Sequence, residues 1–236
     1  MRLVVFFSLI ALLFQPSAFA AKKKAEKAYK LGVKAGNDGD ISSAIDRFAV
    51  AVRIDKSYGQ AWRDLGKALL AKDRYPEAVA ALKRATVLNK KSYSSNSSLA
   101  RAYMALGLPK LAVKPSKVAL KNAKSGDKDK ARIALASALS GAGDYAEAIK
   151  LFEKLTQKDP TNTSLLWKLA KTQHLAKKND DAVSTLKKVA SLEPGEKRAH
   201  LLMAQVHEST GNTDKAAEAY GAACDLGHQK SCLKSR

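Results

Sequence analysis

The chain has 236 residues, with 42 Lys+Arg against 22 Asp+Glu and a net charge of +20, a balance that favours anionic partners. Hydrophobic residues at 46% and charged residues at 27% exclude a long disordered chain, and 41 alanines against 13 glycines and 6 prolines suit close-packed helices and argue against a strand-and-turn fold. Two cysteines are too few for a disulfide-built scaffold or a four-cysteine zinc site, and enough for one bridge.

Residues 1–20 read as an export signal. Arg2 supplies a positive start, and Leu3 to Phe14 is apolar apart from Ser8. Those 12 residues fall short of the ~20 that a helix needs to span a bilayer. Gln15-Pro16 is expected to break the helix, and Ala18-Phe19-Ala20 places small residues where a signal peptidase inspects, so the cut falls between Ala20 and Ala21. Lys22, Lys23 and Lys24 form a basic mature N-terminus (21–24) and work against translocation. No cysteine follows the apolar run, which excludes a bacterial lipoprotein anchor. The expectation is an exported, periplasmic chain; an uncleaved anchor or a buried first helix is the alternative.

From Ala25 onward a 34-residue period recurs six times, over 25–58, 59–92, 93–126, 129–162, 163–196 and 197–230, followed by a tail at 231–236. In the first repeat Leu31, Gly32, Gly39, Ala44, Phe48 and Ala51 sit at offsets 7, 8, 15, 20, 24 and 27. The second repeat carries Leu65, Gly66, Asp73, Ala78, Leu82 and Ala85 there, with Trp62 at offset 4. The third has Leu99, Ala100, Gly107, Ala112, Ser116 and Ala119; the fourth Leu135, Ala136, Gly143, Ala148, Phe152 and Leu155. Leu169, Ala170, Lys177, Ala182, Leu186 and Val189 follow in the fifth, and Met203, Ala204, Gly211, Ala216, Tyr220 and Ala223 in the sixth. Pro160 and Pro194 share offset 32. Each repeat predicts two helices around a short polar break, with offset 15 ending the first helix in a left-handed turn. Small residues at offsets 8, 20 and 27 let the two backbones approach, and bulkier ones at 7 and 24 fill the space toward the next pair.

In these residues, above all Trp62-Arg-Asp-Leu65-Gly66, Ala78, Ala85 and Pro160, the chain resembles the tetratricopeptide-repeat family. The resemblance implies an all-α fold: a right-handed superhelical solenoid of six helix pairs, closed by a short C-terminal capping turn or helix. It also implies that the first helix of each pair lines a concave, peptide-holding groove. Carried over position by position, Tyr29, Arg63, Lys67, Arg101, Trp167, Lys171 and His174 become the partner-binding candidates. Arg63, Lys67 and Arg101 would form a cationic stretch for carboxylates. Trp167 reads either as an interface anchor or as a buried stacking residue. Val33 and Asp64 stand where the family's carboxylate clamp wants asparagines, so that cochaperone role is not supported.

Departures from the pattern mark two regions. Pro115 falls inside the third repeat's second helix, Ser116 replaces a bulky residue, and 125–128 lengthens the link to the fourth repeat, which reads as drift or as a hinge. The third repeat also has six Lys+Arg and no Asp or Glu. Lys110, Lys114, Lys117, Lys121 and Lys124, spaced 4, 3, 4 and 3, predict one stripe along the outer face of a helix: a solubilising surface, or a docking strip for an anionic membrane, acidic polymer or acidic protein. At the C-terminus, Cys224 and Cys232 are similar to the pair in Sel-one-like relatives of the family, which implies a disulfide between adjacent helices; free thiols, or a metal pair with His228, are the alternatives.

No phosphate-binding glycine loop, HExxH or Gly-x-Ser-x-Gly is present. Of His174, His200, His207 and His228, His200 and His207 are spaced to share one helix face, but no carboxylate or cysteine pair completes a zinc site around them, so neither an enzyme nor a cofactor or metal is expected. With 6% aromatics and no reading motif, nucleic acid is disfavoured. The reading is a non-enzymatic adaptor of the bacterial cell envelope that holds an acidic peptide or protein in its groove. The alternative is a binder of anionic lipid or cell-wall polymer through the lysine face.

Overall fold

The computed structural model describes residues 6–235, with side-chain environments from Phe19 onward. Arg2 and the start of the apolar run lie outside the described residues. Among the described residues every regular element is helical: α1 (Phe6–Asn37), α2 (Ile41–Ile54), α3 (Gly59–Ala71), α4 (Tyr75–Leu88), α5 (Tyr93–Ala105) and α6 (Pro109–Asn122) form an N-terminal unit within 1–123. A 3-10 turn (Ser125–Asp127), α7 (Lys128–Ala142), α8 (Tyr145–Lys158), α9 (Thr163–Leu175), α10 (Asn179–Leu192), α11 (Lys197–Ser209), α12 (Thr213–Asp225) and the short α13 (Gln229–Cys232) form the second, within 124–236. Within each unit successive helices pack antiparallel as hairpins, and each hairpin stacks on the next.

The expected break at Gln15-Pro16 is absent: α1 runs through it and through Ala20-Ala21 into the first repeat. A proline removes one amide donor from the ladder but keeps a helix-compatible φ, and the surrounding leucines and alanines are strong helix formers.

Sequence chemistry accounts for the hairpin geometry. All six offset-20 alanines (Ala44, Ala78, Ala112, Ala148, Ala182 and Ala216) are buried, and these methyl-sized side chains permit close helix approach. Offset 24 faces the next pair as expected, with Phe152 sharing a core cluster with Leu165 and Leu169 and Leu186 one with Leu202 and Met203, and it also packs within its own hairpin. The Phe48 and Leu82 side chains seat on Gly32 and Gly66 of their own hairpin, where a Cβ would lie 2.7 Å from the Phe48 ring and 2.4 Å from Leu82 Cγ. The glycines are small because a bulky partner fills the space directly above them. In the third repeat the same offset holds Ser116, fully buried beside Pro115, and its Oγ has no hydrogen-bond partner. α6 nevertheless continues unbroken across Pro115.

Each hairpin turns through a left-handed residue at offset 15. Four are glycines (Gly39, Gly107, Gly143 and Gly211), while Asp73 and Lys177 adopt φ of 56° and 62°. Junctions between repeats are tied by side chains: the Trp62 indole donates to the Lys56 carbonyl at 3.0 Å, and Asn96, 34 residues on, donates to the Lys90 carbonyl at 3.1 Å. Side-chain caps close α2 and α9, where Asp40 and Asn162 accept from backbone amides three residues ahead.

Candidate partner-binding faces

The candidate residues fall into two groups, one in each unit. In the N-terminal unit α1 supplies Tyr29, α3 supplies Arg63 and Lys67, and α5 supplies Arg101. They are organised around Asp64. Its carboxylate accepts from the Tyr29 hydroxyl at 2.9 Å and from Arg63 Nε and Nη2 at 2.9 and 2.8 Å, with Lys67 Nζ 3.9 Å away. Tyr29 is also held by aromatic contacts, 5.6 Å to Phe48 and 5.0 Å to Tyr58 between ring centroids. This arrangement changes what Arg63 offers. Its fork is satisfied within the chain, so the cations directed outward are Lys67 and Arg101, both exposed.

The electrostatics agree with a half-buried clasp. Burial, then the Asp64 hydrogen bond and charge, push the Tyr29 phenol up to about 12. Burial alone would raise the Asp64 carboxyl, yet the Arg63 hydrogen bonds and charge, Tyr29 and Lys67 hold it below its ordinary value. Tyr58 is pushed up by burial and by Glu26, Asp55 and Asp64.

In the C-terminal unit Trp167 of α9 is partly buried against the core formed by α9, α10 and α11, and its indole Nε1 is buried with no hydrogen-bond partner. Its ring face meets two cations: Lys171 Nζ at 5.3 Å and the Arg198 guanidinium at 5.5 Å from the centroid. Trp167 thus packs against the core with one side while its ring face carries two cations. Arg198 is gripped by Glu196, whose carboxyl the Arg198 bonds hold at about 2. His174 is tied through Nδ1 to Asn179 Oδ1 at 3.1 Å, at the start of α10.

Sequence reasoning missed Asp64 as the hub, Tyr58, and the Glu196–Arg198 pair. Asp64 had registered only as a departure from the clamp pattern, and adjacent residues on a helix do not ordinarily face each other. Arg198 was findable, because it lies on the first helix of the sixth repeat, the helix that lines the groove in the resemblance.

Lys110, Lys114, Lys117 and Lys121 are exposed on α6, and Lys117 has a partner within the chain. Lys124 does not extend that row. α6 ends at Asn122, Ala123 takes an extended conformation, and Lys124 precedes the 3-10 turn. Cys224 near the end of α12 and Cys232 of α13 are at disulfide distance, with Cα atoms 5.0 Å apart. His228 bonds through Nδ1 to Ser231 Oγ at 2.7 Å. His200 and His207 line a cleft of about 770 Å³ between α10, α11 and α12, together with Met203, Lys187, Lys215 and Glu218. Burial and the charges of Lys215 and Lys187 push His207 down.

Family models described as tetratricopeptide repeat match residues 29–96, 63–127 and 97–163, and a second such model matches 139–206 and 173–223. An uncharacterized protein of Methanocaldococcus jannaschii is 43% identical over 56 residues, which are 24% of this chain and 65% of that protein. The tetratricopeptide repeat and J domain-containing co-chaperone DNJ1 of Fusarium oxysporum f. sp. lycopersici is 33% identical over 81 residues, 34% of this chain and 16% of that protein. The chain therefore spans less than two thirds of either relative. Among solved structures, YrrB, described as a TPR protein with an unusual peptide-binding site, superposes with a TM-score of 0.69 at 20% identity over 79% of this chain and 95% of that one. PilW, a widely conserved type IV pilus biogenesis factor, gives 0.65 at 18% identity over 84% and 90%. At these identities the likeness shows the fold.

Proposed function

We propose, for a chain that belongs to the tetratricopeptide-repeat family, a fold that generally serves as a non-catalytic scaffold binding protein or peptide partners, that this member is an adaptor of the bacterial cell envelope whose first-helix faces hold an acidic partner segment. The observation that carries the reading is the Tyr29–Asp64–Arg63 clasp. An intramolecular carboxylate already occupies one Arg fork there, and Lys67 and Arg101 stand exposed on the same series of helices. A prepaired clasp holds side chains rigid before binding, which lowers the entropy lost when a partner docks. Trp167, flanked by Lys171 and Arg198, offers the C-terminal unit an amphipathic anchor of the kind enriched at interface hot spots. The envelope location rests on the sequence of residues 1–20 and is consistent with Cys224 and Cys232 lying at disulfide distance. No co-chaperone role is carried over from DNJ1, since the match covers 16% of that protein.

Photo-crosslinkers placed at Arg101 and Trp167 in the exporting cell, with captured proteins identified by mass, test the reading. The expected result is a partner captured at each position, that at Arg101 being lost on Lys67→Glu, with helical circular dichroism unchanged. Full retention of the crosslinks in that variant would reject the groove. The mass of the exported chain tests the location: it should begin at Ala21.

A further inference from the structure

We propose that the outer face of α6 docks on an anionic lipid bilayer surface, placing Lys110, Lys114 and Lys121 among the headgroups and Leu111 at their apolar edge. This is independent of the groove reading, which uses the other helix of each pair.

The repeat register gives the first argument. The positions of Lys110, Lys114, Lys117 and Lys121 are held on α4 by Pro76, Ala80, Lys83 and Val87, and on α2 by Ser42, Asp46, Ala49 and Arg53. Each of these two helices carries one cation where α6 carries four, so the row belongs to α6 and not to the repeat. The fold does not need it. Ala112, Pro115, Ser116 and Ala119 are the buried side of α6, and at about 100° per residue the four lysines fall on the opposite side. Lys117 already has a partner within the chain and is not counted. With no Asp or Glu anywhere in 93–126, nothing within that repeat offsets the other three.

The second argument concerns which anionic partner fits. All the cations on the row are lysines, which act as hydrated point charges on flexible stems. Arginine is the residue suited to paired, directional bonds with carboxylates or nucleic-acid phosphates. No aromatic side chain interrupts the row to stack a base. Beside it Leu111 and Leu108, at the amino end of α6, are 53% and 43% exposed, and Val87 on α4 is 60% exposed. Lysines on one helix face with apolar side chains at their margin match a fluid surface of negative headgroups over hydrocarbon better than they match a structured acidic peptide.

The test is sedimentation of the full chain with vesicles of phosphatidylcholine, with or without phosphatidylglycerol. The apolar residues 3–14 do not sense headgroup charge, so the ratio of the two partition coefficients isolates the electrostatic part. Lys110→Gln/Lys114→Gln/Lys121→Gln should reduce that ratio by about 100-fold, from a contribution of roughly fivefold per lysine. The corresponding three arginine substitutions should preserve it, Leu111→Ser should reduce binding several-fold, and raised salt should abolish the preference. Lys154→Gln/Lys188→Gln/Lys230→Gln removes the same charge from the other unit and should leave the ratio nearly unchanged. An equal loss in that control would show that net charge alone attracts the vesicles and would overturn the proposal. So would the absence of any preference for phosphatidylglycerol, or capture by polyglutamate that survives vesicle competition and ignores Leu111→Ser.

Discussion

Replacing Gly66 by alanine sets two well-known effects against each other, and the structure decides the winner. Gly66 lies inside α3, where alanine is the better helix former by about 1 kcal/mol. Its new Cβ, however, would stand 2.4 Å from Leu82 Cγ and 2.8 Å from Cδ2, and Leu82 is fully buried, with no room to swing aside. Overpacking of this kind costs about 1–3 kcal/mol, and a clash with the branch carbon sits at the upper end. Gly66→Ala should therefore lose about 2 kcal/mol. The same substitution in a Leu82→Ala background meets no branch carbon and should gain about 1 kcal/mol, although Leu82→Ala itself costs about 2–5 kcal/mol. Urea unfolding of the four members of the cycle measures the reversal, and amide exchange on α3 and α4 locates it. Gly36→Ala is the internal control, because its Cβ meets only Ala44 at 3.8 Å and should be tolerated. A Gly66→Ala effect of the same sign in both backgrounds would refute the idea that offset 8 is small because offset 24 sits on it.

Lys177→Gly should stabilise by about 1 kcal/mol in thermal or urea unfolding, because a β-carbon at φ 62° is relieved; a loss would mean that the lysine earns its place by an interaction. Asp64→Asn should bring the Tyr29 phenol down from about 12, though burial keeps it above an exposed tyrosine, as read by ultraviolet titration of the phenolate. The sign follows for stability. Tyr29, raised on folding, stabilises fully below about pH 10 and less as pH rises through its folded value; Asp64, lowered on folding, stabilises above about pH 4 and less as pH falls through its own. An Asp64→Asn chain with an unchanged acid limb would sink the clasp. Cys224→Ser/Cys232→Ser should weaken the C-terminal end by about 2.5 kcal/mol, seen as faster amide exchange in α12 and α13 and none in α1–α6; uniform exchange would show that the bridge contributes nothing local.

The parts of this fold that repeat were legible in the sequence because they repeat. A left-handed turn at offset 15 was visible from Gly39, Gly107 and Gly211, and it holds even where Asp73 and Lys177 occupy it. Burial of the offset-20 alanines followed from the same register. Pair interactions were less visible. That Phe48 and Leu82 press on Gly32 and Gly66 of their own hairpin requires knowing which surfaces meet, which a one-dimensional period does not contain. The candidate faces were legible only as lists of residue types. Tyr29, Arg63 and Lys67 were chosen for their offsets, whereas Asp64, which joins them, stood out only as a residue that breaks the clamp pattern. Lys124 was joined to the α6 row by spacing alone, and spacing does not foresee that the helix ends at Asn122.

These two kinds of position answer to different physics, and that separates their tests. Gly66, Ala78 and Leu82 are fixed by contacts under 4 Å or by full burial, so changing them alters stability first and binding only through it. Lys67, Arg101 and the α6 lysines are exposed, so replacing them should move unfolding by no more than about 0.5 kcal/mol while removing whatever they hold. The clasp lies between, because Asp64 and Arg63 are half-buried and mutually bonded. Removing either partner should disturb both readouts together. A variant such as Lys67→Glu/Arg101→Glu is therefore the cleaner probe of the groove, and Asp64→Asn the cleaner probe of what keeps the groove rigid. If the first unfolded the chain as readily as it abolished binding, the division between a repeating core and a freely variable surface would be wrong for this protein.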